Sequence, residues 1–230
     1  SVIKASDIEA LLRGGTNVTI STDGAGTQDG NITVDSRIDL GGGVNQNDPS
    51  SDLTLIADDG IYINAPIGSF AGNGEKYRGT VTLQADTEIV FDADILLFTG
   101  LDNQAWGSNT IEIRGKSSDT YPNVTINAGA TLQAYSFDID AKNFDLAGRI
   151  LGGTSSPFKS YDDASGNLFN IDTEQDFTIA STGKLIDRTD ASDVPGGTST
   201  GDLNITVGRN FEMLGQLSLT ELTGNGDFDT

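Results

Sequence analysis

Phe137-Asp-Ile-Asp-Ala-Lys-Asn-Phe-Asp-Leu146 decides the fold. Side chains of an extended chain alternate between two faces. Phe137 and Ile139 therefore fall on one side with Asp138 and Asp140 opposite, and Phe144 and Leu146 repeat the pattern after a polar break at Lys142-Asn143. Two short amphipathic strands thus follow one another with a corner between them. Gly60-Ile-Tyr-Ile-Asn-Ala-Pro-Ile67 and Thr87-Glu-Ile-Val-Phe-Asp-Ala-Asp-Ile95 have the same form.

Outward from this stretch, one polar–apolar–polar–apolar phrase returns along the chain: Asn17-Val-Thr-Ile20, Asn31-Ile-Thr-Val34, Asp52-Leu-Thr-Leu55, Thr80-Val-Thr-Leu83, Thr110-Ile-Glu-Ile113, Asn123-Val-Thr-Ile126 and Asn204-Ile-Thr-Val207. It recurs roughly every 20 to 30 residues, a solenoid-like period. Loops rich in Gly, Ser, Asn and Asp interrupt it at 41–51, 68–79, 115–122, 152–166 and 187–201. No linker is long enough to divide the chain, which predicts a single domain over residues 1–230.

Three all-β architectures compete. A sandwich needs tight Asn-Gly-type hairpins between strands, and few stand in the right places. A propeller carries Gly-His and Trp-Asp signatures, and this chain has no His. A right-handed parallel β-helix accounts for more. Coils stack about 4.8 Å apart, so Val, Ile and Leu form internal ladders, and Thr and Asn form external ones.

One segment reads as a helix. Ser6 followed by Glu9 has the spacing of a capping box, Ile8, Leu11 and Leu12 share a face, and Gly14-Gly15 stops the run. About two turns cannot stand alone, so the helix is expected to lie on the solenoid as a cover or shoulder.

Composition bounds the function. The 230 residues carry 13 Lys+Arg against 34 Asp+Glu, a formal charge of -21, with 29 Gly and no Cys or His. Such a surface repels phosphate backbones and anionic headgroups, which argues against nucleic-acid partners and membrane surfaces. No apolar run reaches the roughly 18 residues that a spanning helix needs, so no membrane insertion is expected. Without His or Cys, Ser-His-Asp and Cys-His catalysis, disulfides and His or Cys metal sites are excluded within this chain. The start at Ser1, without an initiator Met, reads as a domain excised from a larger protein.

The opening Asp7-Ile-Glu-Ala-Leu-Leu-Arg-Gly-Gly-Thr-Asn-Val-Thr-Ile-Ser-Thr-Asp-Gly-Ala-Gly-Thr-Gln-Asp-Gly-Asn-Ile-Thr-Val34 resembles filamentous-haemagglutinin-like exoproteins of two-partner secretion. The likeness lies in a short Ile-x-x-Leu-Leu helix, a Gly break, Asn-Val-Thr-Ile-Ser-Thr, a Gly-rich loop and Gly-Asn-Ile-Thr-Val. It implies a right-handed β-helix, an elongated fibre that is secreted or displayed on the bacterial cell surface, and a role in adhesion or biofilm matrix. The expected partners are glycans, host-surface or matrix proteins and the rest of the parent adhesin. The family's secretion domain carries Asn-Pro-Asn-Gly or Asn-Pro-Asn-Leu; this chain has neither, which points to the repeat-bearing shaft.

The remaining chemistry is acidic and aromatic. Asp92 and Asp94, Asp138 and Asp140, and Asp172, Glu174 and Asp176 stand two apart, which in a strand aims them to one outer face. The plain reading is a polar face that discourages aggregation. The alternative is Ca²⁺, with Asp138, Asp140, Asp172 and Asp176 as candidate ligands, since clustered carboxylate oxygens suit that ion. No other cofactor is expected. Trp106, Tyr77, Tyr121 and Tyr161 lie in or beside loops and are candidate sugar platforms; a loop aromatic that merely covers the core is the plain reading. The Asn-x-Thr sequons at Asn17, Asn31, Asn123 and Asn204 read as strand starts rather than glycosylation sites. The chain is thus expected to be a structural and adhesive module and not an enzyme. A polysaccharide lyase or glycosidase on the same scaffold is the alternative, which the scattered Arg114, Lys116 and Arg149 do not favour.

Overall fold

The computed structural model describes residues 1–22, 30–41, 51–70, 77, 79–97, 109–152, 168–187 and 202–219. After one helix, α1 (Ala5–Arg13), each coil lays down three strands in turn. The first coil holds β1 (Val18–Ser21), β2 (Ile32–Val34) and β3 (Ile38–Asp39), and the second β4 (Leu53–Ala57), β5 (Gly60–Ile63) and β6 (Ile67–Gly68). The third has β7 (Thr80–Ala85), β8 (Glu88–Phe91) and β9 (Ile95–Leu96), the fourth β10 (Thr110–Arg114), β11 (Asn123–Ile126) and β12 (Thr131–Gln133). The fifth has β13 (Ser136–Ala141), β14 (Phe144–Leu146) and β15 (Arg149–Gly152), the sixth β16 (Leu168–Thr173), β17 (Asp176–Ile179) and β18 (Lys184–Asp187). The seventh, the last among the described residues, has β19 (Asp202–Val207), β20 (Asn210–Met213) and β21 (Gln216–Leu219).

Every third strand joins the same sheet, giving three seven-stranded sheets. All pairings are parallel. This is the parallel β-helix that the alternation predicts. Register advances by 26 residues between Ile111 and Phe137 and by 35 between Val18 and Leu53. In the third sheet the advance runs from 18, between Leu132 and Ile150, to 37, between Ile95 and Leu132, so coil length varies on both sides of the phrase spacing. The recurring phrase serves two sheets: Asn17–Ile20 and Asn204–Val207 feed the first, Asn31–Val34 and Asn123–Ile126 the second.

Inside, like stacks on like. The second sheet's inner column runs Ile32, Ile61, Ile89, Val124, Phe144, Phe177, Phe211. Phe144 and Phe177 lie face to face, with ring centroids 4.9 Å apart and 8° between planes. In the first sheet Phe137 meets Phe169 at 4.8 Å, tilted by 39°. The third sheet makes room for Phe169: a Cβ on Gly152 would lie 2.5 Å from its ring.

A buried polar column climbs the corner where the third sheet hands over to the first. Ser51 Oγ donates to the Leu12 carbonyl at 2.6 Å, and Tyr77 Oη donates to the Ser51 carbonyl. Asn109 Nδ2 donates to the Tyr77 carbonyl at 3.0 Å, and the Tyr135 N–H donates to Asn109 Oδ1 at 2.6 Å. Each corner thus satisfies main-chain groups that burial would otherwise leave unpaired.

Helix α1 covers the first coil by a different device from the one expected. Its N-cap is Lys4 and no side chain caps it. Ser6 lies inside the helix, and Glu9 Oε1 instead accepts the Asp39 N–H at 2.8 Å. That carboxylate therefore closes an edge of β3, and Arg13 pairs with the Asp39 side chain at 2.9 Å. Ile8 and Leu12 are buried against the coil, whereas Leu11, expected beside them, is 50% exposed. The stop at the glycines holds. Gly15 has φ 77°, and the Gly15 and Thr16 N–H groups bond Leu12 and Leu11 carbonyls, which is a Schellman closure.

Candidate functional site: the outer faces of the first and second sheets

Since the inner positions fill the core, recognition falls to the outer rows. On the first sheet one outer row reads Thr19, Thr54, Thr82, Glu112, Asp138, Asn170, Asn204. Beside it run Ser21, Ile56, Gln84, Arg114, Asp140, Asp172, Thr206. Coils one to three carry hydroxyls in the first row; coils four to six carry the charge.

The charged half is cross-linked. Thr82 Oγ1 donates to Glu112 Oε2 at 3.1 Å. Arg114 pairs with Glu112 at 3.3 Å, and Asn170 Nδ2 donates to Asp138 Oδ1 at 3.1 Å. Asp140 stands in register with Asp172 one coil on. Burial pushes the Asp140 pKa up, the negative charges of Asp138 and Asp172 push the same way, and Arg114 opposes them.

Of the four carboxylates considered for Ca²⁺, the structure brings three together and separates the fourth. Asp138, Asp140 and Asp172 share the first sheet's outer face. Asp176 begins β17 on the second sheet, because the chain turns a corner at Glu174-Gln175. There Arg209 donates to both Asp176 oxygens at 2.9 and 2.5 Å, and Asn210 Nδ2 donates at 2.9 Å. These donors, Arg209 foremost, hold the Asp176 pKa down to about 2 and raise that of Arg209. Among the described residues no three acidic side chains converge in a metal-binding arrangement. Asp92 and Asp94 do not form an outward pair either. They are corner residues, with Asp92 accepting from Asn127 at 2.7 Å and Asp94 from the Thr131 N–H at 2.7 Å.

The aromatic candidates divide. Trp106 and Tyr161 lie outside the described residues. Tyr121 is 38% exposed just before β11, where an aromatic face is open to solvent. Tyr77 is no platform: it is 4% exposed and belongs to the buried corner column, where burial raises its pKa. Its position just before a first-sheet strand looked like a loop, and only the stacked coils enclose it.

A better-placed aromatic went unnoticed. Tyr62, at the centre of Ile61-Tyr62-Ile63, takes the outward position of the alternation, and that was the available signal. Its register neighbours are Thr33 and Val90. The adjacent row holds a polar side chain at Asn31, Glu88, Asn123, Asn143, Asp176 and Asn210, and only Gly60 lacks one. The Tyr62 side chain fills that gap: a Cβ on Gly60 would lie 3.0 Å from Oη and 3.2 Å from ring carbons. Tyr62 Oη donates to Glu88 Oε1 at 2.5 Å, and this bond to a carboxylate, with burial, pushes the phenol up to about 12. An aromatic face beside a carboxylate and amide rows can stack on the apolar side of a sugar and bind its hydroxyls.

No family model, no curated protein and no solved structure matches this chain.

Proposed function

We propose that this chain is a structural and adhesive module of a secreted or surface-displayed bacterial adhesin, of the filamentous-haemagglutinin-like kind that its opening resembles. The observation that carries the reading is the register of the outer rows. Threonine, asparagine and acidic side chains repeat at the spacing of stacked coils along whole sheet faces. At about 4.8 Å per coil, such rows offer an extended polymer donors and acceptors at regular intervals. Glycan chains and matrix proteins are ligands of that kind. The strongly acidic charge supports uncharged or basic ligands over anionic ones.

A glycan array probed with and without Ca²⁺, with product analysis of each bound glycan, tests the proposal. Binding without turnover is the expected result. Sugar release or unsaturated products would move the chain to the polysaccharide-degrading class, and no binding to any glycan or matrix protein would remove the adhesive role.

A further inference from the structure

Two separate features of the chain meet at Tyr62, in the middle of the stack. The first is the ring. Among the described strands Tyr62 is the only aromatic in an outward row, since the strand phenylalanines lie in inner columns. Its side chain lies beside Gly60, where no Cβ lifts it from the sheet, and Glu88 Oε1 one coil on holds Oη at 2.5 Å. The half-buried ring is thus fixed at its tip as well as its root. The second feature is a strap. The other fully described corners between the first and second sheets take two residues, but the one between β10 and β11 takes eight, 115–122. It folds back over earlier coils. Thr120 Oγ1 donates to Asp86 Oδ1 at 3.1 Å, and Lys116 pairs with Asp58 two coils back. A turn braces it, with the Thr120 N–H on the Ser117 carbonyl at 3.2 Å. Asp58 and Asp86 stand two residues before Gly60 and Glu88. The strap therefore walls the edge of the second sheet beside Tyr62, parallel to the stack.

Polar groups of both kinds flank the ring. Asn31 Oδ1 accepts the Gly60 N–H at 2.8 Å, and Asn123 Oδ1 accepts from Asn143 Nδ2 at 2.8 Å. Each of these asparagines is exposed and turns its amide N–H groups to the outside. Glu88 adds carboxylate lone pairs beyond the one that Tyr62 uses. The local charge is negative: Glu88 and Asp59 both act on the Tyr62 phenol, and Lys116 is taken up by Asp58. We propose that Tyr62, Glu88, Asn31 and Asn123 form a subsite for an uncharged sugar unit of a glycan that lies along the stack against the strap. The apolar sugar face stacks on the ring. Its hydroxyls, which donate and accept, meet the carboxylate and the amides. A uronate or sulfate in the same place would face Glu88 and Asp59 without a free cation beside it, and like charges brought together oppose binding.

This subsite rests on the adhesive reading and narrows its ligand to uncharged glycans. A ring already held in place by Glu88 loses little freedom on binding, so the platform is preorganised.

Calorimetric titration of the full chain with cellohexaose, mannohexaose and xylohexaose, beside hexagalacturonate as the anionic probe, tests it. At least one neutral probe is expected to bind, and hexagalacturonate to bind about tenfold more weakly or not at all. Tyr62→Ala should weaken the neutral probe about tenfold, with an unchanged circular dichroism spectrum because the side chain faces outward. Tyr62→Phe keeps the ring but not its tether, so its loss should be smaller, about threefold. Glu88→Gln should narrow the gap between neutral and anionic probes, a readout that a merely structural role would not move. Parent-like affinity in Tyr62→Ala, a preference for hexagalacturonate, or an unmoved gap in Glu88→Gln overturns the subsite. So does a chain that binds matrix protein but no neutral probe, and that result leaves the adhesive role standing. Absence of binding to any glycan or matrix protein removes both.

Discussion

Phe177 and Phe211 occupy the same column, in register and in ring contact, but Phe177 is fully buried and Phe211 is 42% exposed. The difference is that, among the described residues, a further coil lies above Phe177 and none above Phe211. In a solenoid, burial is a property of the stack rather than of the residue, and each coil depends on its neighbours. The amino-terminal coil meets the same problem with α1, which supplies Ile8 and Leu12 as the missing layer and Glu9 as the missing strand acceptor.

The largest expected effect contrasts the middle of the stack with its end. Phe144→Ala, inside the stacked pair, should cost about 3–5 kcal/mol in denaturant unfolding. Phe211→Ala on the same column should cost less than about 1 kcal/mol, because much of its ring never left water. Equal losses would show that the last coil is covered after all.

The helix comes next. Leu12→Ala should cost about 2–4 kcal/mol by removing a buried side chain from the covering layer, and hydrogen exchange of β1–β3 should quicken with it. If only α1 amides respond, the helix is an appendage and not a cover. Glu9→Ala should have a smaller effect, about 1–2 kcal/mol, since it leaves the Asp39 N–H at a strand edge without its acceptor. Exchange at that one amide is the direct check.

The smallest effects are expected on the outer faces and depend on pH. Asp176 has its folded pKa held at about 2, below its ordinary 3.8. Its stabilising contribution is therefore full above pH 3.8 and is lost as the pH falls toward 2. Arg209→Ala should flatten that acid limb of the melting curve. Asp140 has the opposite sign. Its raised pKa means that ionisation costs stability at neutral pH, a cost that vanishes on acidification. Asp140→Asn should raise the melting temperature slightly at pH 7 and have no effect at low pH; a drop at pH 7 would show the carboxylate to be structural.

The strands were readable because alternation is local. In Phe137–Leu146 both strands and the corner are where the pattern put them. The site was less readable. Asp138, Asp140 and Asp172 share the first sheet's outer face. Asp176 looked like their neighbour at four residues' distance and turned away at a corner, since spacing marks a face only while the strand lasts. Tyr77 departed for a similar reason: its loop position suggested exposure, while the stacked coils cover it.

By itself, the sequence determined that short amphipathic strands with one apolar face must stack, and that Gly15 ends the helix, because side-chain alternation and backbone freedom act within a few residues. Only the tertiary structure decided which sheet each phrase joins, where Glu9 spends its hydrogen bond, and which acidic side chains share a face. Those outcomes depend on partners one coil away, brought into register by coil lengths that vary from 18 to 37 residues.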